Sequence, residues 1–167
     1  MITVSSEEGV GSTFRIYLPA SPEDVVEPMI RQSDSMEKGS ETLLLVDDEI
    51  FVLEVGKEML RRLGYHVMVA RNGSEAIKTY KTYGNVIDCV VLDMIMPDMN
   101  GGDVFDRLSA MNPDVKVLLS SGYSLNGKAS EILDRGCNGF IQKPFDIQQL
   151  SGKIREILDG HPDHDIS

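Results

Sequence analysis

Between residues 41 and 159, short apolar runs alternate five times with stretches of helical periodicity, and no other feature limits the fold so sharply. The runs are Thr42-Leu43-Leu44-Leu45-Val46, residues 65–70, residues 87–92, residues 115–120 and Gly139-Phe140-Ile141-Gln142. Runs this short, bounded by Gly, Pro and Asn, read as buried strands. The helical stretches cover about 49–63, a segment after Asn72, then 101–111, 125–135 and 146–159. The first places Ile50, Leu53, Met59, Leu60 and Leu63 inward and ends at Gly64, a helix-stop position. Asn72 with Glu75 and Asp146 with Gln149 have the spacing of capping boxes. The third places Val104, Phe105, Leu108 and Met111 inward; the fourth is weaker, with Leu125, Ile132 and Leu133 interrupted by Gly127. The fifth turns Ile147, Leu150, Ile154, Ile157 and Leu158 inward.

Five strand–helix units in about 120 residues imply a parallel sheet covered by helices on both faces. The expected fold is α/β, a flavodoxin-like (βα)5 three-layer sandwich with strand order 2-1-3-4-5. In that order the first and third strands flank the point where the chain reverses direction across the sheet, and ligands of such sheets bind beyond the strands' carboxyl ends.

Polar residues gather at those ends. The first strand finishes in Asp47-Asp48, the third in Asp93, the fourth in Ser120-Ser121-Gly122 and the fifth in Lys143-Pro144. Three carboxylates in one crevice repel one another strongly unless a cation intervenes. An all-oxygen donor set with no Cys or His favours a hard ion, hence Mg²⁺, held by acids among Asp47, Asp48 and Asp93 and by a backbone carbonyl near Ile95. Lys143 adds a compact positive charge and Ser121 a hydroxyl. Metal and lysine together neutralise phosphoryl oxygens, and a carboxylate can attack phosphorus, so the pattern reads as a phosphoryl-transfer site. Each piece alone has a plainer reading as a turn or cap; four in register at the same edge do not.

The formal net charge of −11 disfavours nucleic acid as a partner. The 41% apolar share supports a core, yet no 18-residue apolar stretch is present to span a membrane. Cys89 and Cys137 form no metal or redox motif, and a reducing cytoplasm is the expected location. His66 falls in a strand as a structural residue, and His161 and His164 in a polar tail.

The stretches Leu44-Leu45-Val46-Asp47-Asp48-Glu49, Val91-Leu92-Asp93-Met94-Ile95-Met96-Pro97-Asp98-Met99-Asn100-Gly101, Leu118-Leu119-Ser120-Ser121-Gly122-Tyr123 and Phe140-Ile141-Gln142-Lys143-Pro144-Phe145 resemble the receiver domain of two-component response regulators. The spacing agrees, with 28 residues from Asp93 to Ser121 and 22 from Ser121 to Lys143. The resemblance implies that Asp93 accepts a phosphoryl group from a phosphohistidine. It gives Mg²⁺ to Asp47 and Asp48, with Asp48 the more direct ligand, and a phosphoryl oxygen to Ser121. Lys143 is implied to pair with Asp93 and then with the phosphoryl group. Phe140 stands at the family's switch aromatic; lacking a hydroxyl, it can switch only through burial of its ring, and simple core packing is the alternative. A cis Lys143–Pro144 bond is also implied. Such a domain catalyses its own phosphorylation and dephosphorylation.

Residues 2–19, with Gly9-Val10-Gly11-Ser12-Thr13 leading to Tyr17-Leu18-Pro19, resemble the last two strands of a histidine-kinase ATPase domain. The ATP-lid motifs and a phosphoacceptor His are not in this sequence, so neither ATP binding nor autophosphorylation is expected of it. A two-stranded remnant buries no core alone and is expected to be disordered or to pair on another surface. The expected organisation is a remnant at 1–19, a Pro/Gly/Ser-rich linker at 20–40, a receiver at 41–159 and a tail at 160–167. The implied parent is a hybrid sensor histidine kinase that could be membrane-anchored. Its phosphohistidine domain, in cis or in trans, is the expected donor, and a histidine phosphotransfer protein is a further partner. A phosphorylation-independent regulatory module of such a kinase is the alternative. A haloacid-dehalogenase-type phosphatase is excluded by Ile95, where a general acid would stand.

Overall fold

The computed structural model describes residues 1–17, 38–123 and 127–160. They fall into two compact units divided between Asp34 and Ser35. The linker residues 20–37, Leu125, His161 and His164 lie outside the described residues.

The first unit is an antiparallel hairpin of β1 (Ile2–Glu7) and β2 (Gly11–Ile16), paired from Ile2↔Ile16 to Glu7↔Gly11. The expectation is disorder or pairing on another surface; instead the two strands pair with each other, helped by Gly9 in the turn and Gly11 at the start of β2, both at positive φ. The reasoning behind that expectation stands, since every hairpin side chain is exposed.

The second unit is built from β3 (Thr42–Val46), α1 (Ile50–Arg62), β4 (His66–Ala70), α2 (Gly73–Tyr83), β5 (Cys89–Asp93), α3 (Gly101–Met111), β6 (Val117–Ser121), α4 (Gly127–Asp134), β7 (Gly139–Gln142) and α5 (Ile147–Asp159). The sheet order is β4-β3-β5-β6-β7, all pairs parallel, which is the 2-1-3-4-5 order expected. Alternate residues of the central strands feed two cores. Leu43, Leu45, Cys89, Val91 and Leu118 meet α1 and α5 on one face. Leu44, Val46, Val90, Leu92 and Leu119 meet α2, α3 and α4 on the other. Burial on both faces is why these strands read as continuous apolar runs.

Local signals place the helix ends. Asp146 caps α5 in a full capping box with Gln149, and the Asn72 side chain accepts the Glu75 amide, although the Glu75 carboxylate reaches back to the Arg71 amide. Two inward assignments fail. Ile50 is 52% exposed and Met111 45%, because each sits at a helix terminus where the apolar stripe has run past the sheet. Strand boundaries also shift: Asp93 and Ser121 are the last residues of β5 and β6 rather than the first beyond them. His66 opens β4, exposed. The Lys143–Pro144 bond is cis.

Candidate functional site

Parallel register brings the strand ends level. Val46 pairs with Leu92, and Asp93 with Ser120, so β3, β5 and β6 end side by side with Asp47 following β3 directly. From β7, the Lys143 amide donates to the Ser121 carbonyl at 2.7 Å, and its side chain turns across the strand ends. Lys143 Nζ donates to Asp47 Oδ2 and Asp93 Oδ1, each at 2.6 Å. The other oxygens are held by the backbone: Asp93 Oδ2 accepts the Ile95 amide at 2.8 Å, and Asp47 Oδ1 the Glu49 amide at 2.9 Å. Asp47 and Asp93 are buried, and the lysine side chain is only 21% exposed.

One ammonium between two buried carboxylates leaves the group with a net negative charge. Burial pushes the Asp93 carboxyl above the usual aspartate range, more than the Lys143 hydrogen bond and charge pull it down. Burial works against the Lys143 ammonium, but its hydrogen bonds to Asp47 and Asp93 outweigh this and raise it. Burial thus adds to the basicity of the Asp93 carboxylate, and Lys143 is its fixed counter-ion.

The remaining sequence candidates are placed differently. Asp48 is exposed, and among the described residues no three acidic, His or Cys side chains converge as a metal-binding group. The expected row of three acids is a pair drawn onto the lysine with the third turned to solvent, because Lys143 neutralises the buried two. The all-oxygen donors still suit a hard cation: each engaged carboxylate oxygen retains a lone pair, and Asp48 stands next in the chain. Ile95 engages the site through its amide. Ser121 is buried, and its Oγ accepts the Tyr123 amide at 3.1 Å. Phe140 is half-buried against the core formed with α2, α3 and α4.

Three features escaped the motif reading. A Cβ on Gly101 would lie 2.6 Å from the Asp93 carbonyl oxygen and 2.9 Å from Met94 Cα, so the loop after Asp93 closes only over glycine. Asp98 accepts the amides of Gly73 at 3.1 Å and Ser74 at 3.0 Å, fastening that same loop to the start of α2. On α1, Phe51 is 81% exposed and Val55 56%. They border an apolar cavity of about 360 Å³ that Val52, Met59 and Phe145 also line and that reaches Asp47 and Lys143. The apolar run Ile50-Phe51-Val52 was the available signal, since it exceeds what one buried stripe needs.

A parallel five-stranded sheet with a lysine-bridged acid pair at its carboxyl edge defines a class, and the comparisons agree with it. The response regulator receiver domain family matches residues 43–155. The chain is 35% identical over 166 residues to the sensor kinase CckA of Brucella abortus, covering 95% of this chain and 18% of that protein. It is 34% identical over 116 residues to the chemotaxis protein CheY of Thermotoga maritima, covering 69% of this chain and 95% of that protein. A CheY from Borrelia burgdorferi, solved with CheX, BeF₃ and Mg²⁺, superposes with a TM-score of 0.68 at 25% identity, over 70% of this chain and 88% of that one. The chain belongs to the response regulator receiver family, and its larger unit is a receiver domain of two-component signal transduction. It spans about a fifth of the length of the sensor kinases it matches. No described helix is long and apolar enough to cross a membrane.

Proposed function

We propose that Asp93 is the phosphoacceptor and takes its phosphoryl group from a phosphohistidine in a Mg²⁺-dependent reaction. The observation that carries this is Lys143 Nζ set 2.6 Å from both Asp93 and Asp47, a counter-ion already seated where phosphoryl oxygens arrive. In the transfer an Asp93 carboxylate oxygen attacks phosphorus. The P–O bond forms as the P–N bond breaks, and the electron pair of the broken bond leaves on the imidazole nitrogen. Lys143 then pairs with the phosphoryl group and Ser121 Oγ donates to one of its oxygens. Asp47, Asp48, Asp93 and the Ile95 carbonyl would hold Mg²⁺, which supplies charge neutralisation of the phosphoryl oxygens. Gly101 and Asp98 fix the loop that carries Ile95, so the acceptor is positioned before the donor arrives. Phe140 and α4 then carry the changed state to a partner.

The donor is read as a protein. Phe51, Val55 and the cavity beside them form an apolar rim continuous with the site, suited to the apolar face of a helix that presents a histidine. We read the wider setting as a hybrid sensor histidine kinase, with residues 1–19 the end of its ATPase domain, 20–40 a linker, 41–159 the receiver and 160–167 a tail. A histidine phosphotransfer protein is a further acceptor. The match to CckA runs through 95% of this chain, whereas the match to CheY covers 69%, which favours a kinase context for the hairpin. The phosphorylation-independent alternative finds no support in the relatives.

Acetyl phosphate with Mg²⁺ tests the acceptor directly. The wild-type protein takes up one phosphoryl group and Asp93→Asn takes up none; equal labelling of the two would refute the assignment.

A further inference from the structure

The chain entering the receiver is gripped at the end of the sheet opposite Asp93. Arg155 of α5, whose side chain is 12% exposed, reaches Glu41 Oε1 at 2.8 Å and Asp159 Oδ1 at 2.7 Å. Glu41 Oε2 accepts the Ser40 amide at 2.8 Å, and the Glu41 carbonyl accepts the His66 amide at 2.9 Å. The Gly39 amide donates to the Leu63 carbonyl at 3.0 Å. Gly39 lies so close to Tyr65 that a Cβ there would be 2.1 Å from its ring, and 2.3 Å from Glu41 Oε2. Gly39, Ser40 and Glu41 precede the span matched by the family, yet they are built into the domain.

The grip contains a poorly bonded group. The Tyr65 hydroxyl is buried near the Arg155 guanidinium but makes no hydrogen bond of good geometry, and the Gly39 contacts put the hydroxyl end of its ring beside Glu41 Oε2. A buried hydroxyl without a well-formed hydrogen bond favours any arrangement that supplies one. A rotation of the Glu41 carboxylate would let it accept from Tyr65 and release the Ser40 amide, which gives the grip a second hydrogen-bonded arrangement to move to.

α5 connects this place to the site. Lys143 leads through Pro144 and Phe145 to the Asp146 cap, and α5 then runs 13 residues, about 20 Å, as one rod bearing on the sheet through Leu150, Ile154 and Ile157. A Lys143 side chain leaving the two carboxylates for a phosphoryl oxygen would pull on the loop that starts α5. Close-packed interfaces pass such displacements on as switches between discrete arrangements.

We propose that Glu41, Arg155 and Tyr65 form a two-position clasp through which α5 reports the phosphorylation state of Asp93 to the segment preceding the receiver. This rests on the phosphoacceptor reading above. The test is amide hydrogen exchange of residues 38–42 in the full chain, with and without beryllofluoride and Mg²⁺, alongside acetyl phosphate labelling. Exchange in this segment is expected to quicken at least threefold on beryllofluoride addition in the wild type and not in Asp93→Asn. In Arg155→Gln, and in the milder Glu41→Gln, the difference is expected to vanish while labelling persists. A wild type that labels but shows equal exchange in both states overturns the clasp, as does a difference that survives in both variants. A wild type that fails to label overturns the phosphoacceptor reading, and the clasp with it.

Discussion

At the scale of single residues, Asp93 and Lys143 set the chemistry between them. In the proposed reaction Asp93 attacks as the carboxylate, and burial raises its carboxyl, so the acid limb of acetyl phosphate labelling is expected at a higher pH than for an ordinary aspartate. A raised acid pKa means that the ionised carboxylate costs folding stability above the ordinary value, a cost relieved as pH falls through the raised one. The raised Lys143 acts oppositely: its stabilisation is full below the ordinary lysine pKa and is lost as pH climbs through the raised value. Lys143→Met leaves two buried carboxylates unpaired; denaturant titration at neutral pH should show a loss of about 3 kcal/mol, together with an acid limb moved further upward. Gly101→Ala forces a methyl against the Asp93 carbonyl, and thermal unfolding should report a loss of about 1–3 kcal/mol with weaker labelling. Ile95 and Tyr123, 60% and 65% exposed beside the site, offer no strong base to activate water. The phosphorylated form is therefore expected to lose its label slowly at neutral pH, and rapid decay of a radiolabelled sample would contradict this.

At the scale of elements, α1 does two jobs with two faces. Leu53, Leu60 and Leu63 hold it on the sheet, while Phe51 and Val55 face solvent next to Lys143. Replacing Phe51 and Val55 with Ser and Thr removes apolar surface that the fold itself does not bury. Transfer from a phosphohistidine protein should fall at least tenfold while labelling by acetyl phosphate stays within twofold, because the small donor needs no docking surface. The element boundaries were legible where a local rule decides them: the Asp146–Gln149 box predicts the start of α5, and Asn72 the start of α2. Ile50 and Met111 were misread as inward because helical periodicity specifies a stripe and not how far along the helix the sheet extends beneath it.

At the scale of the whole molecule, the receiver carries its own double-sided core, and the hairpin buries no side chain of its own. A fragment of residues 38–160 should unfold at the same temperature, within about 2 °C, as the full chain. A fragment that starts at Leu43 should unfold several degrees lower in the same scan, because it lacks Gly39, Glu41 and Thr42 and their bonds to Leu63, Arg155 and Asp88.

The alternation of apolar runs and amphipathic stretches determined the α/β class and sheet order, since a strand buried on both faces and a helix buried on one leave different periods in the chain. The polar residues closing those runs determined which side chains share the carboxyl edge, because parallel strands all end there. Only the tertiary structure decided that Lys143 claims Asp47 as well as Asp93 and leaves Asp48 to solvent, that Gly101 alone fits against the Asp93 carbonyl, and that Glu41 is gripped by Arg155 114 residues away. These are contacts between segments far apart in the chain. They depend on side-chain reach and on which charge is buried, and no local period records either.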